Sequence, residues 1–222
     1  MRLGALFSGG KDSCLALHLA KKQGHDICFL LSIIPSNFDS FMFHKPYLNL
    51  LKKQAEMLGI DLITINSSGD ENNEIEDLYK LINSVKDKID GVLVGGIASR
   101  YQKKRIKNIC DKLNLKFFSP LWSYSDKKIW KEIFTCGFKV ILTKISCEGI
   151  SKDFLGKIIN KEEYNKLKKL SQKYKFRLDF EGGEAESAVL FMPEFKEEIK
   201  IKYEIIDEGK YRSYLNIKKV YN

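Results

Sequence analysis

Apolar runs alternate with amphipathic stretches through the first two thirds of the chain, and this alternation predicts strand–helix units. Leu3-Gly4-Ala5-Leu6-Phe7 is a short apolar run, and a helical-looking stretch from Cys14 to Gln23 follows it, ended by Gly24. Ile27 to Ile34 is apolar except for Cys28 and Ser32, as expected of a parallel strand buried on both faces. A loop from Pro35 to Lys45 leads to a helix from about Pro46 to Leu58, with Pro in its first turn and Gly59 at its end. Asp61 to Ile65 reads as the third strand and Asn66 to Asn73 as a turn-rich loop. From Glu74 to Lys88, Ile75, Leu78, Leu81, Ile82 and Val85 fall on one helical stripe. Gly91 to Val94 is the fourth strand, and a basic helix then runs to about Leu113. Lys116 to Phe118 is a short strand, Ser125 caps a helix to about Thr135, and Lys139 to Ile145 is a further apolar strand. This order predicts an α/β fold, a parallel sheet with helices on both faces.

Near Ile150 the pattern changes. Ser151 to Gly156 reads as a loop and Lys161 to Tyr174 as a Lys-rich helix, with short strands around Ser187–Phe191, Ile199–Ile205 and Arg212–Val220. The expected organisation is a Rossmann-like main domain over residues 1–150 and a smaller α+β subdomain over 151–222.

The loop after the first strand carries the chemistry. Ser8-Gly9-Gly10-Lys11-Asp12-Ser13 stands between a strand and a helix start. Two glycines open backbone angles closed to other residues and leave room for a ligand beside the main chain. The N–H groups at the helix start then face an anion. Lys11 adds positive charge, and Ser8 and Ser13 add hydroxyl donors. The spacing is not that of the Walker loop, because Ala5 and Asp12 stand where that motif needs Gly and Ser or Thr. Nor is it that of the dinucleotide fingerprint. A plain Gly-Gly turn with a polar cap is the alternative.

Other polar clusters also follow predicted strands: His44 in the loop after the second, and Ser99, Tyr101, Gln102, Lys104 and Arg105 after the fourth. Open parallel sheets bind ligands beyond the carboxyl ends of their strands, so these residues are candidates for one site. For Lys104 and Arg105 the alternative is a solvated basic face. The turn Glu181-Gly182-Gly183-Glu184, with Glu186, crowds carboxylates that a cation would relieve, a magnesium ion or a substrate ammonium or trimethylammonium group; an acidic turn in solvent is the alternative.

Composition narrows the class. In 222 residues, 44% are hydrophobic and 30% charged, an ordinary globular balance. No apolar run approaches the length that spans a bilayer, and the first one leads straight into the loop rather than into a signal-peptide pattern, so the chain reads as cytoplasmic. The five cysteines form no CxxC pair and read as reduced, mostly buried residues. The net charge of +9 comes mainly from lysines spread along the chain, so nucleic acid is not the expected partner.

The string SGGKDS resembles the PP-loop of the N-type ATP pyrophosphatases. The segments Ser40-Phe41-Met42-Phe43-His44 with Pro46, Ser99 with Tyr101-Gln102, Pro120-Leu121-Trp122, Leu155-Gly156 and Glu181-Gly182-Gly183-Glu184 with Glu186 together resemble the diphthine–ammonia ligase (diphthamide synthetase) family within that superfamily. The resemblance implies a PP-loop domain with a small C-terminal subdomain. It implies that ATP, with Mg2+, adenylates the diphthine carboxylate on translation elongation factor two, and that ammonia displaces AMP. On this likeness Ser8, Gly9, Gly10, Lys11, Asp12 and Ser13 hold ATP, and Lys11, Asp12, Glu184 and Glu186 are the catalytic candidates. His44, Ser99, Tyr101, Gln102, Arg105 and Glu181 to Glu184 then bind substrate, with the acidic turn facing the trimethylammonium group. The chain departs from the family pattern at Arg100, Tyr47, Phe180, Ala185 and Ser187, around the acceptor side rather than the ATP loop. Two other readings stay open: an N-type pyrophosphatase acting on tRNA, and a non-catalytic nucleotide-binding protein. No membrane partner is expected, and a homodimer is left open.

Overall fold

A computed structural model describes residues 1–35, 47–68, 71–96 and 100–222, without the side chains of residues 71, 72 and 100–102. The described chain divides into two units: Met1–Ser8 with Asp12–Ser123, and Gly9–Lys11 with Tyr124–Asn222.

In the first unit five strands form a parallel sheet: β1 (Arg2–Leu6), β2 (Asp26–Pro35), β3 (Asp61–Ser67), β4 (Gly91–Leu93) and β5 (Lys116–Phe118), in the spatial order β3-β2-β1-β4-β5. Four helices alternate with them: α1 (Lys11–Lys22), α2 (Leu48–Leu58), α3 (Glu71–Asn83) and α4 (Arg100–Lys112). The chain steps outward from β1 to β3, then crosses back to β4 and continues to β5. Right-handed crossovers therefore place α1 and α2 on one face and α3 and α4 on the other. The packing agrees: Leu78, Leu81 and Ile82 of α3 and Ile106, Ile109 and Cys110 of α4 share one core with Leu31, Ile33 and Val92 of the sheet. The strand order reverses between β1 and β4, so that is where this sheet forms a ligand crevice.

Element boundaries differ locally from the expected ones. α1 begins at Lys11, three residues earlier, so the loop lysine is the first helical residue. The helix expected to reach Lys88 ends at Asn83, and a separate short turn spans Lys86–Lys88.

The second unit contains a four-stranded sheet of β6 (Lys139–Ile145), β7 (Ala185–Phe191), β8 (Lys200–Asp207) and β9 (Ser213–Tyr221), in the order β7-β6-β9-β8, all antiparallel. Here the structure corrects the sequence reading, which placed Lys139–Ile145 in the parallel sheet. The sequence pattern changes near residue 150, whereas the compact units part after Ser123, so α5 (Asp126–Thr135) and β6 lie in the second. Ser125 caps α5 as its position suggests, its hydroxyl accepting from the Lys128 N–H at 3.3 Å. Trp130 of α5 is fully buried, its ring 5.6 Å from that of Phe134 and 5.5 Å from that of Tyr164 in α6 (Lys161–Tyr174).

Gly91 has no room for a side chain: a Cβ there would lie 2.6 Å from the Lys116 carbonyl oxygen of the neighbouring strand. Gly91→Ala is expected to destabilise the protein by about 2 kcal/mol or more, because backbone must move to relieve the clash. Urea unfolding monitored by circular dichroism checks this; an unchanged midpoint would contradict the observed pairing of β4 with β5.

Candidate active site

In the first unit β1 delivers its chain to the reversal point of the sheet, and the hydroxyls of Ser8 and Ser13 lie 3.2 Å apart there. Two residues after β4, Gly95 approaches the start of α1 very closely. A Cβ on it would sit 2.7 Å from the Ser13 nitrogen and Cα and 2.9 Å from the Asp12 carbonyl carbon. Glycine at 95 thus lets the end of β4 approach the main chain of the loop. The next loop is tied in by Ser119, whose hydroxyl donates to the Gly96 carbonyl at 3.2 Å.

In the second unit Gly9–Lys11 lies against β7, the outer strand of its sheet. The Val189 N–H donates to the Gly9 carbonyl at 3.0 Å, and the Lys11 N–H donates to the Ser187 hydroxyl at 3.2 Å. Gly9 takes φ +73°, a turn that favours glycine. Lys11 is 2% exposed, and its ammonium donates to the Asp179 carbonyl at 2.5 Å. The ring of Phe180 lies 5.4 Å from the ammonium, centroid to nitrogen.

The segment bearing that carbonyl is held by its own hydrogen bonds. Arg177 grips the Asp179 carboxylate with two donors, at 2.9 and 2.5 Å, and the Glu181 N–H adds a third at 3.1 Å. Burial pushes the Asp179 carboxyl up, but these donors and the nearby charges of Arg177 and Lys11 outweigh it and hold the group below the ordinary carboxylate value. Glu184 accepts from the Arg177 N–H at 3.1 Å and the Gly182 N–H at 2.9 Å. Glu186 pairs with Lys144 at 3.1 Å. Part of the crowding is thus offset within the chain, by backbone amides for Glu184 and by a lysine for Glu186. Among the described residues no group of three or more His, Cys, Asp or Glu side chains is arranged to hold a metal ion.

Of the other sequence candidates, His44 and Ser99 lie outside the described residues, and Tyr101 and Gln102 are in the first turn of α4 with side chains also outside them. Arg105 is half-buried one turn further along α4, and Lys104 is exposed. Lys103, beside them, packs over the Trp122 ring at 3.6 Å. Asp179 and Arg177 are not singled out by the sequence reading, and Phe180 and Ser187 enter it as departures from the family pattern, with no role given to them. The available signals were the Arg177-x-Asp179 spacing and the position of Phe180 directly before the Glu181-Gly182-Gly183-Glu184 turn. Two of the thiols are poor nucleophiles: burial, then the Glu184 charge, pushes Cys147 up to about 11, and burial pushes Cys110 up to about 12.

Within the first unit, a strand end, paired hydroxyls and the main chain of a helix start make a polar set of the kind that suits an anion.

Because the Asp179 carboxyl is held low in the fold, its stabilisation is complete above the ordinary carboxylate value and is lost as pH falls through the folded value. Asp179→Asn is therefore expected to flatten the acid limb of the stability curve below about pH 5. Thermal melts from pH 7 to pH 3 measure this; an acid limb as steep as in the parent chain would contradict it.

The sequence pattern of the diphthamide synthase N-terminal domain matches residues 1–117, and that of the C-terminal domain residues 125–222. A diphthine–ammonia ligase of Mus musculus is 34% identical over 223 residues, covering 90% of this chain and 83% of that protein. That of Homo sapiens is 32% identical over 220 residues, covering 90% of this chain and 82% of that protein. Among solved structures, a predicted subunit of tRNA methyltransferase from Methanocaldococcus jannaschii covers 89% of this chain and 99% of its own, at 17% identity and a TM-score of 0.44, a likeness that bears on neither site nor function. Both domain patterns and full-length relatives converge on one answer: the chain belongs to the diphthamide synthase family.

Proposed function

We propose that this protein is a diphthine–ammonia ligase, converting diphthine on translation elongation factor two to diphthamide at the expense of ATP. The observation that carries the reading is the identity to diphthine–ammonia ligases along 90% of the chain, spanning both domains. The loop geometry supports its ATP-using half. ATP activates the diphthine carboxylate as an adenylate with loss of pyrophosphate, and ammonia displaces AMP to give the amide.

Ser8 to Ser13 hold the phosphates, with main-chain donors at the start of α1 and the two serine hydroxyls. Lys11 opposes the charge that grows on the departing pyrophosphate, which fixed positive groups do best when buried and held in place. Magnesium bound with the phosphates would offset part of their charge. On the acceptor side the turn from Glu181 to Glu186 presents carboxylates to the trimethylammonium group of diphthine. His44, Ser99, Tyr101, Gln102 and Arg105 are assigned to substrate positioning on the strength of the family resemblance, and Asp12 to the phosphate end.

Lys11→Ala is expected to lower AMP formation by roughly a hundredfold or more, the usual scale for losing one fixed charge-stabilising group. Glu184→Gln is expected to raise the KM for the protein substrate while that for ATP stays put. AMP and pyrophosphate release, measured with ammonium and diphthine-bearing factor, tests both. Near-parental AMP release by Lys11→Ala would remove the proposed role of the loop. AMP release that follows added tRNA instead of the factor would move the protein to RNA modification.

A further inference from the structure

Phe180 occupies a backbone conformation that its own side chain disfavours. Its φ is +62°, left-handed, where a residue with a Cβ is strained. Among the described residues only Asn114, Ser123 and Lys175 share this feature without being glycine. Phe180 differs from those three in being an aromatic residue, the kind for which such a φ is a genuine outlier.

That strain has a geometric consequence. The peptide unit joining Asp179 to Phe180 carries the carbonyl that accepts from Lys11, and its direction is fixed by ψ of Asp179 and φ of Phe180. The left-handed turn at 180 aims this carbonyl at the ammonium, 2.5 Å away. The side chain of Asp179 is occupied elsewhere, by Arg177 and the Glu181 N–H. The ring of Phe180 then closes over the same ammonium, 5.4 Å from its centroid. The ring is 5% exposed and meets Trp130 edge-on, 6.2 Å between centroids at 81°. Trp130 is itself fixed by its indole N–H, which donates to the Leu178 carbonyl at 2.8 Å. The main-chain turn closes with the Gly183 N–H on the Phe180 carbonyl at 3.2 Å.

We infer that Phe180 is a positioning residue for Lys11: its left-handed backbone directs the Asp179 carbonyl onto the ammonium, and its ring, braced by Trp130, confines it from another side. One of the three ammonium protons is thereby anchored, which fixes the directions of the other two. The same short segment leads into the Glu181–Glu186 turn, so the seat of the phosphate-side lysine and the acidic turn are set by one run of chain. This rests on the role given to Lys11 under the proposed function.

Three substitutions separate the parts of the seat. Phe180→Leu keeps apolar bulk and removes the aromatic face. Phe180→Gly relaxes the backbone and removes the ring. Phe180→Tyr keeps the ring. Two readouts are taken well below each variant's melting temperature: kcat and KM for AMP formation, and the acylation rate of Lys11 by an amine-reactive ester, followed by mass spectrometry with exposed Lys166 as internal reference.

Phe180→Leu and Phe180→Gly are expected to lower kcat about tenfold, on the scale of a desolvated cation–ring contact, with KM for ATP unchanged within about twofold. Both are expected to speed acylation of Lys11 relative to Lys166 by a similar factor, and Phe180→Tyr to restore both readouts. Parental kcat and parental Lys11 acylation in Phe180→Leu would overturn the inference, leaving Phe180 as packing alone; so would a Phe180→Tyr as impaired as Phe180→Leu. Accelerated Lys11 acylation in Phe180→Leu, in a protein whose parent makes no AMP, would uphold the seat and remove the catalytic reading instead.

Discussion

A nearly buried ammonium organises the candidate site. Taking a lysine charge out of water is costly unless donors find acceptors and nearby dipoles offset the charge. At Lys11 the offset comes from the Asp179 carbonyl, the field of the Asp179 carboxylate and the face of Phe180. Each of these needs further support. The carboxylate is held by Arg177, the ring by Trp130, and the main chain at Gly9–Lys11 by Ser187 and Val189 of β7. Hence residues far apart in sequence, at 9–11, 130, 177–180 and 187–189, make one connected arrangement within the second unit.

The parallel sheet of the first unit supplies the complementary constraint. Its strand order reverses between β1 and β4, and both strands end where polar chemistry is needed. Gly95 allows the main chain after β4 to approach that of Asp12 and Ser13 within a distance that any side chain would forbid. Glycine at this position acts through absence of bulk, and the close approach of the two main chains follows from it. The acidic turn is likewise held by the protein itself, Glu184 by two main-chain amides and Glu186 by Lys144.

Much of this was legible in the sequence, and the failures have physical reasons. The Ser8–Ser13 loop was found because glycine pairs and a helix start have local signatures, and Ser125 because capping is local too. Lys139–Ile145 was found as a strand but given to the wrong sheet. A run of Val140, Ile141 and Leu142 reports burial on both faces, not the direction of neighbouring strands; here β7 and β9 flank it in antiparallel fashion. Asp179 went unread, and Phe180 was read as a departure from the family pattern and given no role, because a carbonyl direction and a left-handed φ are not announced by side-chain chemistry. The crowding of the glutamates is legible as local charge, whereas a partner distant in sequence, such as Lys144, is not. His44 and Ser99, singled out from sequence, lie outside the described residues.

The central claim is that this chain transfers ammonia nitrogen to the diphthine carboxylate of elongation factor two, driven by cleavage of ATP to AMP and pyrophosphate. The most direct measurement incubates the protein with diphthine-bearing factor, ATP, magnesium and isotopically heavy ammonium, and follows the modified histidine by mass spectrometry alongside AMP. Heavy nitrogen in the factor, in step with AMP formed, is the expected result. AMP formed while the factor gains no nitrogen, or no AMP despite bound ATP, would contradict the claim.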